Sequence, residues 1–212
     1  AAMDTADLAA LTTAQVRALS SDQIAGLTSA QFAALGTAQV AAITSAQVAG
    51  IETVDLAALS TSAVAALTSL QIQSLSSTQI DALTTQQLAS LTTAQVRAIQ
   101  TVDLPALGTD GLAALTTTHL QALTSAQYAA LSTAQIASMV TDDIAAMTTL
   151  QATALTTDQI AAYQTAQIAG LETADLEAMS MTQIAAFSTD DVAVMTAAQL
   201  DAVLTASPLV LD

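Results

Sequence analysis

The sequence predicts an all-α solenoid of very short N-capped helices, one per eight-residue repeat, with three repeats (24 residues) in each superhelical coil. Three observations carry the prediction. An octad runs through the chain without insertion or deletion, a helix-capping signal returns in nearly every octad, and exceptional residues recur at multiples of 24. The unit is plainest in Leu91-Thr92-Thr93-Ala94-Gln95-Val96-Arg97-Ala98. Its positions are lettered a to h, with Leu91 at a and Ala98 at h.

Position a is apolar from Leu11 to Val203, and position f is apolar from Val16 to Leu200, weakest at Ala152. Loops tolerate insertions, so a fixed register means that each octad meets its neighbours in a fixed way. Position c is Ser or Thr except at Met181 and Ala197. Position b is usually Ser or Thr but admits Gly36, Glu52, Gly108, Val140 and Glu172, and position e is mostly Gln, sometimes Asp. A hydroxyl residue ahead of such a run marks a helix start. If b is the cap, Thr92-x-x-Gln95 forms a capping box. If c is the cap, Gln or Asp stands in the first turn beside the positive end of the helix dipole. The stricter chemistry at c favours c.

A cap every eight residues argues against one continuous helix. Eight helical residues turn through roughly 800°, so an apolar stripe would drift by ~80° per octad and never form a seam. Helices of about d to a, separated by corners at a, b and c, avoid this. Such short helices do not hold alone in water, so they must stack. Helical geometry then puts f and a on one side with e flanking them, and d and g opposite. Position g accepts Arg17, Gln73, Asp81, Arg97, Gln121, Glu177 and Asp201, as a wet face would. Position h accepts only small residues before Val194, which predicts close approach of another backbone.

The coil period comes from the exceptions. Asp replaces Gln at Asp7, Asp55, Asp103 and Asp175; Gly occupies h at Gly26, Gly50 and Gly170; Tyr163 and Phe187 are the aromatic residues at a. Within each set these residues are spaced by multiples of 24, while Arg17 and Arg97 are not and Asp143 and Asp191, also at e, are out of phase. Three octads per turn give a triangular coil. At ~8–10 Å per coil, the chain would make a rod of roughly 70–90 Å.

Composition narrows the function classes. The net charge is −16 with only two basic residues, Arg17 and Arg97. That excludes a basic patch for nucleic acid and disfavours anionic membrane surfaces. There is no Cys, hence no disulfide frame or thiol chemistry. No apolar run approaches the ~18 residues of a membrane span. No basic segment precedes the repeats, so no signal peptide is read at the N-terminus. Met3, Thr5, Asp7 and Leu8 already stand at a, c, e and f. A start inside the array predicts an excised fragment or an end that packs against something.

The departures from the octad are the places to look for chemistry. Gln100–Leu115 departs most, with Pro105 at g and Thr109-Asp110-Gly111 in place of Thr-Ala-Gln. Either that helix is a single distorted turn or its boundary is displaced by one or two residues. His119, the one His, stands at e and is read as a substitute for Gln rather than a metal ligand, since no second His or Cys partners it. Asp142-Asp143 and Asp190-Asp191 are read as first-turn dipole compensation rather than a calcium site. Tyr163, Phe187 and the methionines 139, 147, 179 and 195 at position a are read as core. No catalytic, cofactor-binding or metal-binding residue is assigned. Residues 1–203 form the solenoid, and 204–212 form a C-terminal cap or the start of a linker.

Octads such as LTTAQVRA (residues 91–98) and LSTAQIAS (131–138) resemble the LTTAQ[IV]AA-type octapeptide arrays of large bacterial secreted or surface adhesin-like proteins, over residues 3–203. The resemblance implies an extracellular or cell-surface location and a spacer or adhesive stalk. The haem label attached to some of these arrays is not carried over, because His119 is alone and no cofactor is expected. The leading expectation is a non-catalytic structural or adhesive region with a protein or surface partner along the rod, without nucleic-acid binding or membrane insertion. The alternative is an ice- or surface-binding protein using regular Thr rows, against which stands the use of the c hydroxyls as caps. An enzyme is not expected, since no nucleophile–base constellation, metal spacing or phosphate loop is present. Oligomeric state is left open.

Overall fold

The computed structural model describes residues 3–206, and their regular structure is helical throughout. The octad dictates each helix. In the helix Thr93–Ala98, Thr92 is extended (φ −83°, ψ 157°), and its Oγ1 accepts from the Gln95 N–H at 3.2 Å. Gln95 Oε1 accepts in return from the Thr92 N–H at 2.7 Å. Two amides that a helix start leaves unpaired are thereby satisfied. The helix stops at Ile99, which turns extended (φ −61°, ψ 128°) and drops its side chain into the core.

The cap is at b, not at c. Thr12, Ser20, Thr28, Thr44, Thr68 and Ser132 all cap in this way, and the residue at c is already the first helical one. A cap residue is itself extended, which b is and the helical c is not, and its oxygen reaches the N–H three residues on, at e. In some octads the hydroxyl at c has a different task, as a donor to the next coil. Ser125 Oγ donates to the Leu150 carbonyl at 3.0 Å, and Ser29 Oγ donates to Asp55 Oδ1 at 2.6 Å. Thr92→Ala is therefore expected to cost about 1 kcal/mol. Thr93→Ala should be nearly neutral, because an exposed first-turn Thr gives way to a better helix former. Urea unfolding of the two variants checks the order, and a larger loss at Thr93 would return the cap to c.

Each helix lies on the helix three octads away, as three repeats per coil require. The chain divides into two compact units, Ala1–Leu115 and Thr116–Asp212. In the first, Thr5–Ala9, Ser29–Ala34 and Thr53–Ala58 stack in succession, and Thr37–Ala42 lies on Thr13–Ala18 and under Thr61–Ala65. In the second, Thr149–Ala152, Thr173–Ala178 and Ala197–Ala206 form one such stack, and Thr141–Ala145, Thr165–Ile168 and Thr189–Val194 form another. Positions f and a supply the core of both, from Val40, Ile43, Val64 and Leu67 to Ile160, Leu171 and Leu176. Tyr163 and Phe187, 24 residues apart, stack with ring centroids 6.5 Å apart and planes 6° from parallel. Such pairs contribute about 1 kcal/mol beyond the area they bury.

The octad containing Pro105 keeps its register by changing its helix. Residues 101–103 form a turn and Leu104–Leu107 a 3-10 helix, so Pro105 falls in the first turn, where its missing N–H leaves no bond unmade. Leu104 and Leu107 stay buried at f and a. The helix is a single tightened turn, and it starts two residues after the expected Val102. Gly108 then reverses the chain at φ 62°, ψ −168°, a conformation open almost only to glycine. Gly108→Ala should cost about 1–3 kcal/mol although nothing lies within 4 Å of the added carbon, and its thermal midpoint would show it. The last helix, Ala197–Ala206, runs through the expected boundary at 203/204, and residues 207–212 lie outside the described residues.

Candidate functional site

Position e does more than flank the core. The glutamines at Gln71, Gln87, Gln95, Gln151 and Gln159 are nearly inaccessible to solvent. Each uses Oε1 for its own cap and Nε2 for the preceding coil. Gln95 Nε2 donates to the Val64 carbonyl at 2.9 Å and the Leu67 carbonyl at 2.7 Å. Gln87 does the same to Leu56 and Leu59, at 3.0 and 2.8 Å. In the second unit, Gln151 reaches Leu120 and Leu123, and Gln199 reaches Ile168 and Leu171. The acceptors in these octads are the f and a carbonyls 31 and 28 residues earlier, joined at Gln87, Gln151 and Gln159 by the g carbonyl 30 residues earlier, where a short helix leaves carbonyls free at its end. One amide thus satisfies the start of one helix and the end of another, one coil away.

Asp at e has acceptors only and takes one of the two roles. Asp191 caps, accepting from the Ser188 N–H at 3.0 Å and from its Oγ at 2.6 Å. Asp55, Asp103 and Asp143 instead accept the c hydroxyls of Ser29, Ser77 and Thr117 in the coil before. At Glu52, Val140 and Glu172, ahead of Asp55, Asp143 and Asp175, position b makes no side-chain cap. The Asp-Asp pairs therefore divide: Asp142 and Asp190 are exposed first-turn carboxylates, while Asp143 and Asp191 join the packing. Among the described residues no group of three or more His, Cys, Asp and Glu side chains could hold a metal ion. His119 is buried, and its Nδ1 accepts from the Thr116 N–H at 3.3 Å, the contact that Gln Oε1 makes elsewhere.

Asp175 is the exception among these carboxylates. Its Oδ2 is buried without a hydrogen-bond partner, as is the hydroxyl of Tyr163. Burial pushes the Asp175 carboxyl above its usual range, with a smaller upward contribution from Glu172, while a hydrogen bond from Thr149 opposes both. Burial also raises the Tyr163 and Tyr128 hydroxyls, and the Asp175 charge adds to both shifts. A carboxyl raised in the folded state contributes stability below the unfolded carboxyl range, near pH 4, and loses it as pH rises through the folded value. Asp175→Asn should therefore be more stable than the parent at pH 7, with the difference closing below about pH 4. Urea midpoints across that range measure it; a difference independent of pH would contradict the assignment.

The octad has a known counterpart. A family model described as the ALTTAQ repeat matches residues 1–37, 48–85, 96–133, 104–141, 136–173 and 168–205. The chain belongs to the ALTTAQ repeat family. No curated protein matches it. The six letters of the ALTTAQ repeat correspond to positions h, a, b, c, d and e. In this fold a supplies the core, b the cap, d an exposed helix former and e the two-way clamp, while c donates to the next coil at Ser29, Ser77, Thr117 and Ser125 and h meets the neighbouring coil at Gly170. Sequence reasoning found the core, the one-cap-per-octad pattern and the small h positions, but it favoured c over b as the cap and missed the amide's second bond. The signal was present in the residue choice. A capping box accepts Glu as readily as Gln, yet no ALTTAQ octad here carries Glu at e. A carboxylate cannot donate to the two carbonyls.

Proposed function

We propose that this chain is a structural repeat region, a spacer or adhesive stalk of a bacterial surface or secreted protein, lying outside the cell and performing no catalysis. One observation supports this reading above others: within each of the two units, buried glutamine amides bond a coil to the main chain of the coil before in the same register. Repeats coupled to their neighbours by such bonds propagate order along the chain and suit a part that separates or displays others. The charge of −16 keeps copies apart in solution. Small-angle scattering on the whole chain tests the reading. Rod-like scattering near the 70–90 Å estimated from ~8–10 Å per coil supports it, and a globular particle overturns it.

The position of the cap favours a second reading more than the sequence does. With b as the cap, many c hydroxyls, among them Thr13, Thr37, Thr85 and Thr93, are exposed at helix starts. Rows of such hydroxyls at the coil repeat would suit an ice- or mineral-like lattice. Thermal hysteresis of a dilute solution separates the two: its presence favours surface binding, and freezing indistinguishable from a buffer of equal osmolality leaves the spacer.

A further inference from the structure

Inside the second unit the clamp is interrupted at residue 175. The register assigns to an amide there the carbonyls of Ile144 and Met147, as it assigns Ile136 and Met139 to Gln167 in the octad before. The residue is Asp instead, and it is 2% exposed. Its carboxyl takes a hydrogen bond from Thr149, which follows Met147 by two residues. That bond holds the carboxyl against the corner where the clamp would close. Its Oδ2 is buried with no hydrogen-bond partner. Asp55, Asp103 and Asp143 also accept c hydroxyls, yet among the described carboxylates Asp175 is the one left with such an oxygen. The Ile144 carbonyl keeps the main-chain bond from the Met147 N–H at 3.1 Å, and no described residue donates to the Met147 carbonyl. The register therefore brings one acceptor without a donor to another. A single proton between them answers both, and it needs no room in a packed core.

We infer that Asp175 is an acid-closed version of the glutamine clamp: with a proton on Oδ2 the carboxyl donates to the Met147 carbonyl, and on ionisation the proton returns to solvent and this bond between two coils is lost. A protonated carboxyl has one O–H donor, the role of Nε2 at other octads, whereas a carboxylate only accepts. Of the charged and titratable groups around it, Glu172 and Glu177 share its octad, and Asp201 lies on helix Ala197–Ala206, which packs on Thr173–Ala178. Helix Thr149–Ala152, also packed on Thr173–Ala178, carries none. The buried Tyr163 and Tyr128 hydroxyls feel the Asp175 charge. None of these groups is a cation that would hold the carboxylate ionised, and burial and Glu172 both favour the proton. The folded state thus binds this proton more tightly than the unfolded chain. The clamp is made below the unfolded carboxyl range, about pH 4, and is lost as pH rises through the folded value. The device does not depend on the spacer reading: it would tighten one coil in acid in a chain of any role.

The test is a titration of the 13C,15N-labelled full chain between about pH 8 and about pH 4, reading the Asp175 carboxyl carbon and the Met147 carbonyl carbon. Both are expected to shift with one midpoint, while the Met139 carbonyl, clamped by Gln167 at every pH, stays still. Asp175→Asn has a fixed N–H donor on a side chain of the same length, so it should hold the Met147 signal at its acid position throughout. Relative to that variant, opening of the Thr173–Ala178 amides to hydrogen exchange in the parent should grow about tenfold per pH unit between about pH 4 and the Asp175 midpoint. Tyr163→Phe removes the other orphaned group and should leave the coupled shift in place. A Met147 carbonyl that ignores the Asp175 titration, or that titrates equally in Asp175→Asn, would overturn the proposal. Loss of the coupled shift in Tyr163→Phe would give the proton to the tyrosine hydroxyl and overturn the clamp as well.

Discussion

Gln95→Glu is expected to destabilise the first unit by about 3–5 kcal/mol at neutral pH, the scale of an uncompensated buried charge. The two side chains have nearly the same shape, so packing changes little. What changes is the sense of two hydrogen bonds. Nε2 donates to Val64 and Leu67 at 2.9 and 2.7 Å, whereas a carboxylate oxygen in its place would face two carbonyl oxygens in a site almost free of solvent. The cap survives, since the other oxygen still accepts from Thr92. Gln95→Ala loses the clamp without adding a charge and should cost less, about 2–3 kcal/mol, through unpaired acceptors and a small void. Acid should rescue the Glu variant in part, because a proton on the new carboxyl restores one donor. The measurement is the urea midpoint of the parent and both variants at pH 7 and pH 4. A Glu variant as stable as the parent at pH 7 would mean that the amide only caps, and that coils are held by side-chain burial alone.

Gly170→Ala should cost about 1–3 kcal/mol, and its sign is the informative part. At an ordinary helical position the exchange gains up to about 1 kcal/mol in helix propensity. At Gly170 an added Cβ would lie 2.6 Å from the Thr141 carbonyl oxygen, 3.0 Å from Thr141 Cγ2 and 3.2 Å from Ile144 Cβ. The nearest of these is main chain, so relief requires one coil to move from the next, against the bonds that Gln167 makes to Ile136 and Met139. Gly50 shares position h but meets only carbonyls of the helix it follows, those of Gln47 at 3.5 Å and Ala46 at 4.0 Å. Gly50→Ala should be neutral or stabilising by up to ~1 kcal/mol. Thermal unfolding of the pair compares them directly. Equal midpoints would show that the approach at Gly170 relaxes without cost, and that small residues at h are not selected by the neighbouring coil.

The two glycines show how far a single position can be read. The restriction at h predicts close approach, and that holds at Gly170, while no other coil lies near the space beside Gly26 or Gly50. The same division runs through the candidate site. His119 and the Asp-Asp pairs are legible as substitutions within the octad, because a cap three residues away is a local matter. The orphaned oxygen of Asp175 is not legible, since it depends on what a residue one coil earlier presents. The choice between b and c went astray for a related reason. Both carry hydroxyls, and at c some of them serve an inter-coil bond, as Ser29 and Ser125 do, which no local rule contains.

What the sequence determined by itself is the repeat, its helical character, its apolar a and f positions and its period of three octads. Each follows from short-range geometry: eight residues allow one capped turn and one corner, and apolar side chains at fixed spacing must find a common interior. Only the tertiary structure decided which hydroxyl caps, which donates across coils, and that glutamine joins successive coils through its amide. A hydrogen bond over 28 or 31 residues leaves no periodic trace in the octad beyond the choice of Gln over Glu. Its partners are main-chain carbonyls, which every residue carries and no sequence distinguishes.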